Sequence, residues 1–202
     1  MHRINKGEYG YIAARKKMTV IRTVVFFALC AAVFAAGYIT TGSRNNLLTI
    51  VAVLGCLPAS KSLVNTIMFM RAKGCSPSAH DTIISAYTGG WDDIQDETVG
   101  KKILQAYDLY MTSYKTNYPV SHITVCGSMV TGLLENAGAD TMRECEKHID
   151  EHLKADGYKN ITVKIYSDPV KYTERLNKLS ELDTDSGPSA DGMMETLKAI
   201  SL

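Results

Sequence analysis

The chain has 202 residues, with 22 Lys and Arg against 21 Asp and Glu for a net charge of +1. That near-neutrality joins two opposed blocks: residues 1–73 hold ten basic and one acidic residue, a net of +9, and residues 74–202 hold twelve basic and twenty acidic, a net of −8. An acidic block of this kind argues against binding nucleic acid. Five scattered cysteines without a CxxC pair exclude a disulfide framework and suit a reducing cytoplasm.

Residues 1–19 form a basic N-terminus, followed by an apolar segment over residues 20–41 that only Arg22 interrupts with charge. About 20 apolar residues cross a hydrocarbon core of ~30 Å, so this segment is expected to be a transmembrane helix rather than a cleaved signal. A second apolar segment covers residues 45–70, broken by Pro58, Ser60 and Lys61. Two arrangements fit it: a helix kinked at Pro58 that spans to Met70, or a short span that stops near Pro58 before an interfacial helix. Ala31, Ala32, Ala35, Ala36 and Gly37 in the first helix, and Ala52 and Gly55 in the second, are expected to let the pair pack closely.

Charge sets the orientation. Arg15, Lys16, Lys17 and Arg22 precede the first span, Arg71 and Lys73 follow the second, and the loop carries only Arg44. The excess of Lys and Arg places both termini in the cytoplasm of a multi-pass protein of the inner (plasma) membrane, with those six residues on an anionic surface.

Residues 75–182 are long enough for one domain with its own core. Ser76-Pro77-Ser78 predicts a helix to Ala86, and Trp91 with Asp92 and Asp93 a turn that plugs the core. The spacing of Val99, Ile103 and Tyr107 predicts a helix to Gln105, then a strand over residues 107–114. Strands are expected over residues 122–126, 129–134 and 161–166. Thr141 with Glu144 reads as a capping box opening a helix that ends at Gly157. Asp168 and Pro169 open another, reaching Leu182. Residues 183–202 read as a polar linker and a short terminal helix over 193–200.

The expected fold is α+β, with a four-stranded, mostly antiparallel sheet in the order α-β-β-β-α-β-α. That order resembles the restriction-endonuclease-like core. The resemblance implies Mg²⁺ held by an acidic residue and a Glu/Asp-x-Lys triplet on adjacent strands. The strand Met129-Val130-Thr131-Gly132-Leu133-Leu134 lacks both the acid and the Lys, so any nuclease-like site here is degenerate.

One motif carries chemistry. His148-Ile149-Asp150-Glu151-His152 matches the H-x-x-E-H inverted-zincin pattern, in which histidines at i and i+4 share one Zn²⁺ and the Glu activates water. Cys145 lies one turn earlier, within an arc of about 60°. Against this, the helix is charged all round and the two histidines border its apolar stripe. His122 and Cys126 share a strand face but stand ~13 Å apart, too far for a proton relay. The sequence therefore reads as a membrane-tethered binding or regulatory module without a cofactor, whose partners are the membrane and a protein, another chain or itself. A zinc hydrolase using Glu151, His148, His152 and Cys145 is the alternative.

Overall fold

The computed structural model describes residues 4–43, 46–87, 103–181 and 189–202. Two units emerge, one formed by residues 12–72 and the other by residues 1–11 together with 73–202.

The first unit is a pair of long helices, α1 (Tyr11–Thr41) and α2 (Leu47–Arg71), each long and apolar enough to cross a membrane. Asn46 caps α2 by accepting the Thr49 N–H at 2.8 Å. The helix runs on through Pro58 to Arg71.

The second unit is an α+β fold with a four-stranded mixed sheet in the order β1-β2-β3-β4. Strands β1 (Ile103–Thr112), β2 (Asn117–Cys126) and β3 (Met129–Leu133) form an antiparallel meander, and β4 (Thr162–Tyr166) joins β3 in parallel. Between β3 and β4 runs the crossover helix α4 (Ala139–Ala155). One sheet face packs on α4 and α6 (Ser189–Ala199) through Ile123, Val125, Ile149, Leu153, Met193 and Leu197. The other packs on α3 (Pro77–Tyr87) and α5 (Pro169–Glu181) through Ile83, Leu133, Tyr172, Leu176 and Leu179. Three layers result.

The structure corrects several sequence expectations. Residues 103–105 are strand, not helix, because Ile103 and Gln105 pair with Cys126 and Thr124 across the sheet. Residues 98–102 and the Trp91 turn lie outside the described residues, as does most of the expected linker. Helix α4 begins before Thr141, with Gly138 at the N-cap and no side-chain cap bond, so the capping box is not used. At its other end Gly157, at φ +93°, supports a Schellman close: Tyr158 N–H donates to Leu153 O at 3.1 Å and Gly157 N–H to Lys154 O at 3.0 Å. Asp168 caps α5 as expected, accepting the Val170 N–H at 2.9 Å. The terminal helix starts at Ser189 and belongs to the core rather than to an appendage, since Met193 and Leu197 are buried in it.

Nor is the start of the chain a free basic tail. Gly7 O accepts the Tyr107 N–H at 2.7 Å, and Lys6 Nζ donates to Ser201 O at 2.6 Å. Leu202 N–H donates to Tyr110 O at 2.9 Å, so both chain ends cover the outer edge of β1.

Candidate functional site

On α4 the three proposed zinc ligands part company. Cys145 is buried with Ile149 and Leu153, and burial, then Glu146, pushes its thiol up to about 12. His148 and His152 meet edge to face with ring centroids 4.6 Å apart, and Tyr118 lies 5.6 Å from the His148 ring. Burial, then His152, lowers the His148 pKa against an opposing pull from Glu151, so its ring is neutral at pH 7. Its Nε2 is buried without a hydrogen-bond partner. Glu151 points to solvent and pairs with Lys147 at 3.7 Å. Among the described residues, no three His, Cys, Asp or Glu side chains are gathered so as to hold a metal ion. The helix can present two imidazole nitrogens.

Across the sheet lies a polar network that sequence reading did not reveal. His122 is fully buried, and desolvation, then His80, lowers its pKa to about 3. Its Nδ1 lies 2.6 Å from the Tyr172 hydroxyl and its Nε2 3.3 Å from Gln105 Oε1. Because a carboxamide oxygen only accepts, the proton belongs on Nε2, and Nδ1 takes the Tyr172 O–H. Thr124 Oγ1, 3.0 Å from the same phenol oxygen, is placed to donate to it. Tyr107 covers the imidazole at 4.3 Å, and Tyr9 stacks on His80 at 3.6 Å. Cys126, the other half of the considered pair, is a buried core residue.

Two acidic side chains anchor the stretch that follows α2. Asp108, buried at φ +56°, accepts the Cys75 N–H at 2.7 Å. Glu135 accepts from Ser76 N–H at 3.0 Å, from Ser121 Oγ at 2.6 Å and from Ser76 Oγ. Burial, then Glu135 and Asp108, raises the Cys75 thiol to about 12, so it is protonated at neutral pH. Both segments that adjoin the helical hairpin, residues 5–9 and 74–76, are therefore bonded into the same domain.

The hairpin itself has an unusual seam. Thr19, Thr23, Phe26, Cys30, Val33 and Gly37 turn inward on α1 at alternating spacings of four and three. From α2 they meet Ala52, Gly55, Ala59, Ser62, Thr66 and Phe69. The Thr23 hydroxyl lies 2.8 Å from both Ser62 Oγ and Thr66 Oγ1. A side chain at Gly55 would come 3.0 Å from Cys30 Sγ, and one at Gly37 2.8 Å from Leu48, so glycine permits the close approach. Ala31, Ala32, Ala35 and Ala36, expected at this contact, face outward.

Outside are most of the large apolar side chains, among them Val24, Val25, Leu29, Ile50, Leu54 and Leu57. A hairpin built for water reverses that order and buries its leucines. Lys17, Arg22, Lys61 and Arg71 also lie off the seam, and residues 12–72 contain no acidic residue. The missed signal was the 4-3 spacing of hydroxyl and small residues, which resembles interruptions in a hydropathy reading.

No family model, no curated protein and no solved structure matches this chain.

Proposed function

We propose that this is a multi-pass protein of the inner (plasma) membrane. In this reading the α1–α2 hairpin crosses the bilayer and holds an acidic α+β domain at the cytoplasmic face as a binding or regulatory module for a protein partner. The observation that carries the anchor is the inverted hairpin: hydroxyls, Ala and Gly fill most of the seam beside Phe26, Val33 and Phe69, and the leucines lie outside. Such a surface is stable where the surroundings are apolar. Hairpin topology draws support from the domain's grip on residues 5–9 and 74–76, which requires both ends of the hairpin on one side. Cytoplasmic placement rests on the cations at those ends and on the free thiols. A binding rather than catalytic role is supported by how the domain's gathered polar groups are used. His122, Tyr172, Thr124, Asp108 and Glu135 are all engaged with neighbours inside the fold.

The test is fractionation of the full chain after an alkaline carbonate wash, with epitope tags at each end and in the loop near Ser43. The chain stays with the membrane, and both terminal tags are reached only from the cytoplasmic side. Release by carbonate, or tags on opposite sides, overturns the reading. The zinc-hydrolase alternative retains one observation in its favour, the unpartnered Nε2 of His148. Metal analysis of the full chain beside His148→Ala/His152→Ala decides it: zinc that the variant loses supports it, and equal zinc in both removes it.

A further inference from the structure

Arg22 and Lys61 stand out within the hairpin. From them to its tip, residues 24–39 and 47–60 carry no charge. Each cation immediately precedes a seam residue, Arg22 before Thr23 and Lys61 before Ser62. In an antiparallel pair, positions that precede seam residues fall on the same side of the plane through the two axes, at 100° per residue. The Thr23 hydroxyl lies 2.8 Å from both Ser62 and Thr66, so the two cations stand within about one helical turn of each other in height. Two like charges this close in height and on one face repel strongly in an apolar setting, and the hairpin supplies no acidic residue to offset them.

One heptad nearer the tip, about 10 Å, the same face presents Leu29 and Leu54, each 60% exposed. The uncharged helical stretches, residues 23–41 and 47–60, are about 28 Å and 21 Å long at 1.5 Å per residue, close to or short of a hydrocarbon core of about 30 Å. Both cations therefore fall towards the edge of the hydrocarbon, where their stems reach the headgroups.

We propose that Arg22 and Lys61 together hold the phosphate of one anionic phospholipid, whose acyl chains lie along Leu29 and Leu54. The inference rests on the hairpin's crossing a membrane. It differs from a diffuse basic collar because it assigns one face, about one turn of height and two residues.

Spin-label EPR on the full chain tests it, in phosphatidylcholine vesicles carrying either spin-labelled phosphatidylglycerol or spin-labelled phosphatidylcholine. The native chain immobilises the phosphatidylglycerol probe several-fold more strongly, and Arg22→Gln/Lys61→Gln brings the ratio to about one. Lys16→Gln/Lys17→Gln removes the same charge from positions rotated about 120° and 140° from Arg22, and it keeps most of the selectivity. Equal loss in the two double variants overturns the site in favour of a diffuse collar, and no selectivity in the native chain overturns it outright. A chain that fails to float with the vesicles after the alkaline wash instead sinks the membrane reading on which the site rests.

Discussion

The hairpin and the α+β domain use the same side chains in opposite ways. In the domain, Ile83, Leu109, Ile123, Leu133, Ile149 and Leu176 are inside, and α4 shows its charges to water. In the hairpin the hydroxyls and small residues are inside and the leucines outside. With the hairpin in the bilayer proposed for it, one rule produces both patterns, since each surface then matches its solvent and each interior takes what that solvent excludes or leaves unsatisfied. Both interiors also contain a polar network, but of different kinds. The domain's network contains a titratable group, His122, whereas the hairpin's is made of hydroxyls alone.

That difference gives the largest expected effect. His122 has a folded pKa near 3 against an ordinary 6.5, so below pH 6.5 the unfolded chain takes up a proton that the native fold refuses. Stability of the domain is fully present above pH 6.5 and falls on acidification by about 1.4 kcal/mol per pH unit, approaching 5 kcal/mol near pH 3. Urea unfolding of the full chain in detergent, followed by near-ultraviolet circular dichroism between pH 7 and 4, measures it. In His122→Gln this part of the slope vanishes, although the starting stability is lower. An unchanged slope in the variant assigns the acid sensitivity elsewhere. Hairpin pairing, lacking such a group, holds across the same range.

The second effect separates the two solvents directly. Leu54 and Val170 have similar exposure, 60% and 57%, yet one belongs to the hairpin and the other to α5. Leu54→Asp costs about 2.5–3.5 kcal/mol of membrane insertion and moves chain out of the carbonate-resistant fraction. Val170→Asp faces water and changes stability by about 0.5 kcal/mol or less. Equal tolerance at the two positions breaks the comparison, because the hairpin then faces water as well.

Much of this division is legible in the sequence, and what is not has identifiable causes. The strands declare themselves through β-branched runs such as Ile123-Thr124-Val125, and Asp168-Pro169 marks α5 by local chemistry alone. The start of β1 is obscured because Ile103 and Tyr107 mimic helical spacing. Its period of two also slips at Asp108: Ala106 and Leu109 face one core, as do Val120 and Ile123 on the paired strand. A left-handed residue opposite Ser121 produces that slip, and no pattern count anticipates it. The polar network is hidden for another reason, since Gln105, His122 and Tyr172 lie 17 and 50 residues apart. The roles of Asp108 and Glu135 are likewise created by tertiary contact. In a one-dimensional scan Lys61 reads only as an interruption of the second apolar segment. Helix pairing sets it within about one turn of Arg22 in height.

The smallest effects test whether the two polar interiors differ in strength as well as composition. Thr124→Val keeps the side chain's shape and removes the hydroxyl beside the Tyr172 phenol. Tyr172 still donates to His122 Nδ1, so the loss is one hydrogen bond, about 1 kcal/mol in the same urea experiment. Thr23→Val removes the corresponding hydroxyl from the hairpin seam, where it meets both Ser62 and Thr66. The expected coupling is smaller, about 0.6 kcal/mol, because helices separated within a bilayer find other partners for their hydroxyls. Thr66 already has the Ser62 carbonyl at 3.0 Å within its own helix. A double-mutant cycle of Thr23→Val with Thr66→Val, read by detergent titration of helix pairing, measures the term. A coupling well above that of the domain makes the hydroxyl cluster the lock of the hairpin and reverses the ranking. A coupling of zero means that water or lipid reaches the seam, and the inverted hairpin is then held by Gly37, Gly55 and their close contacts alone.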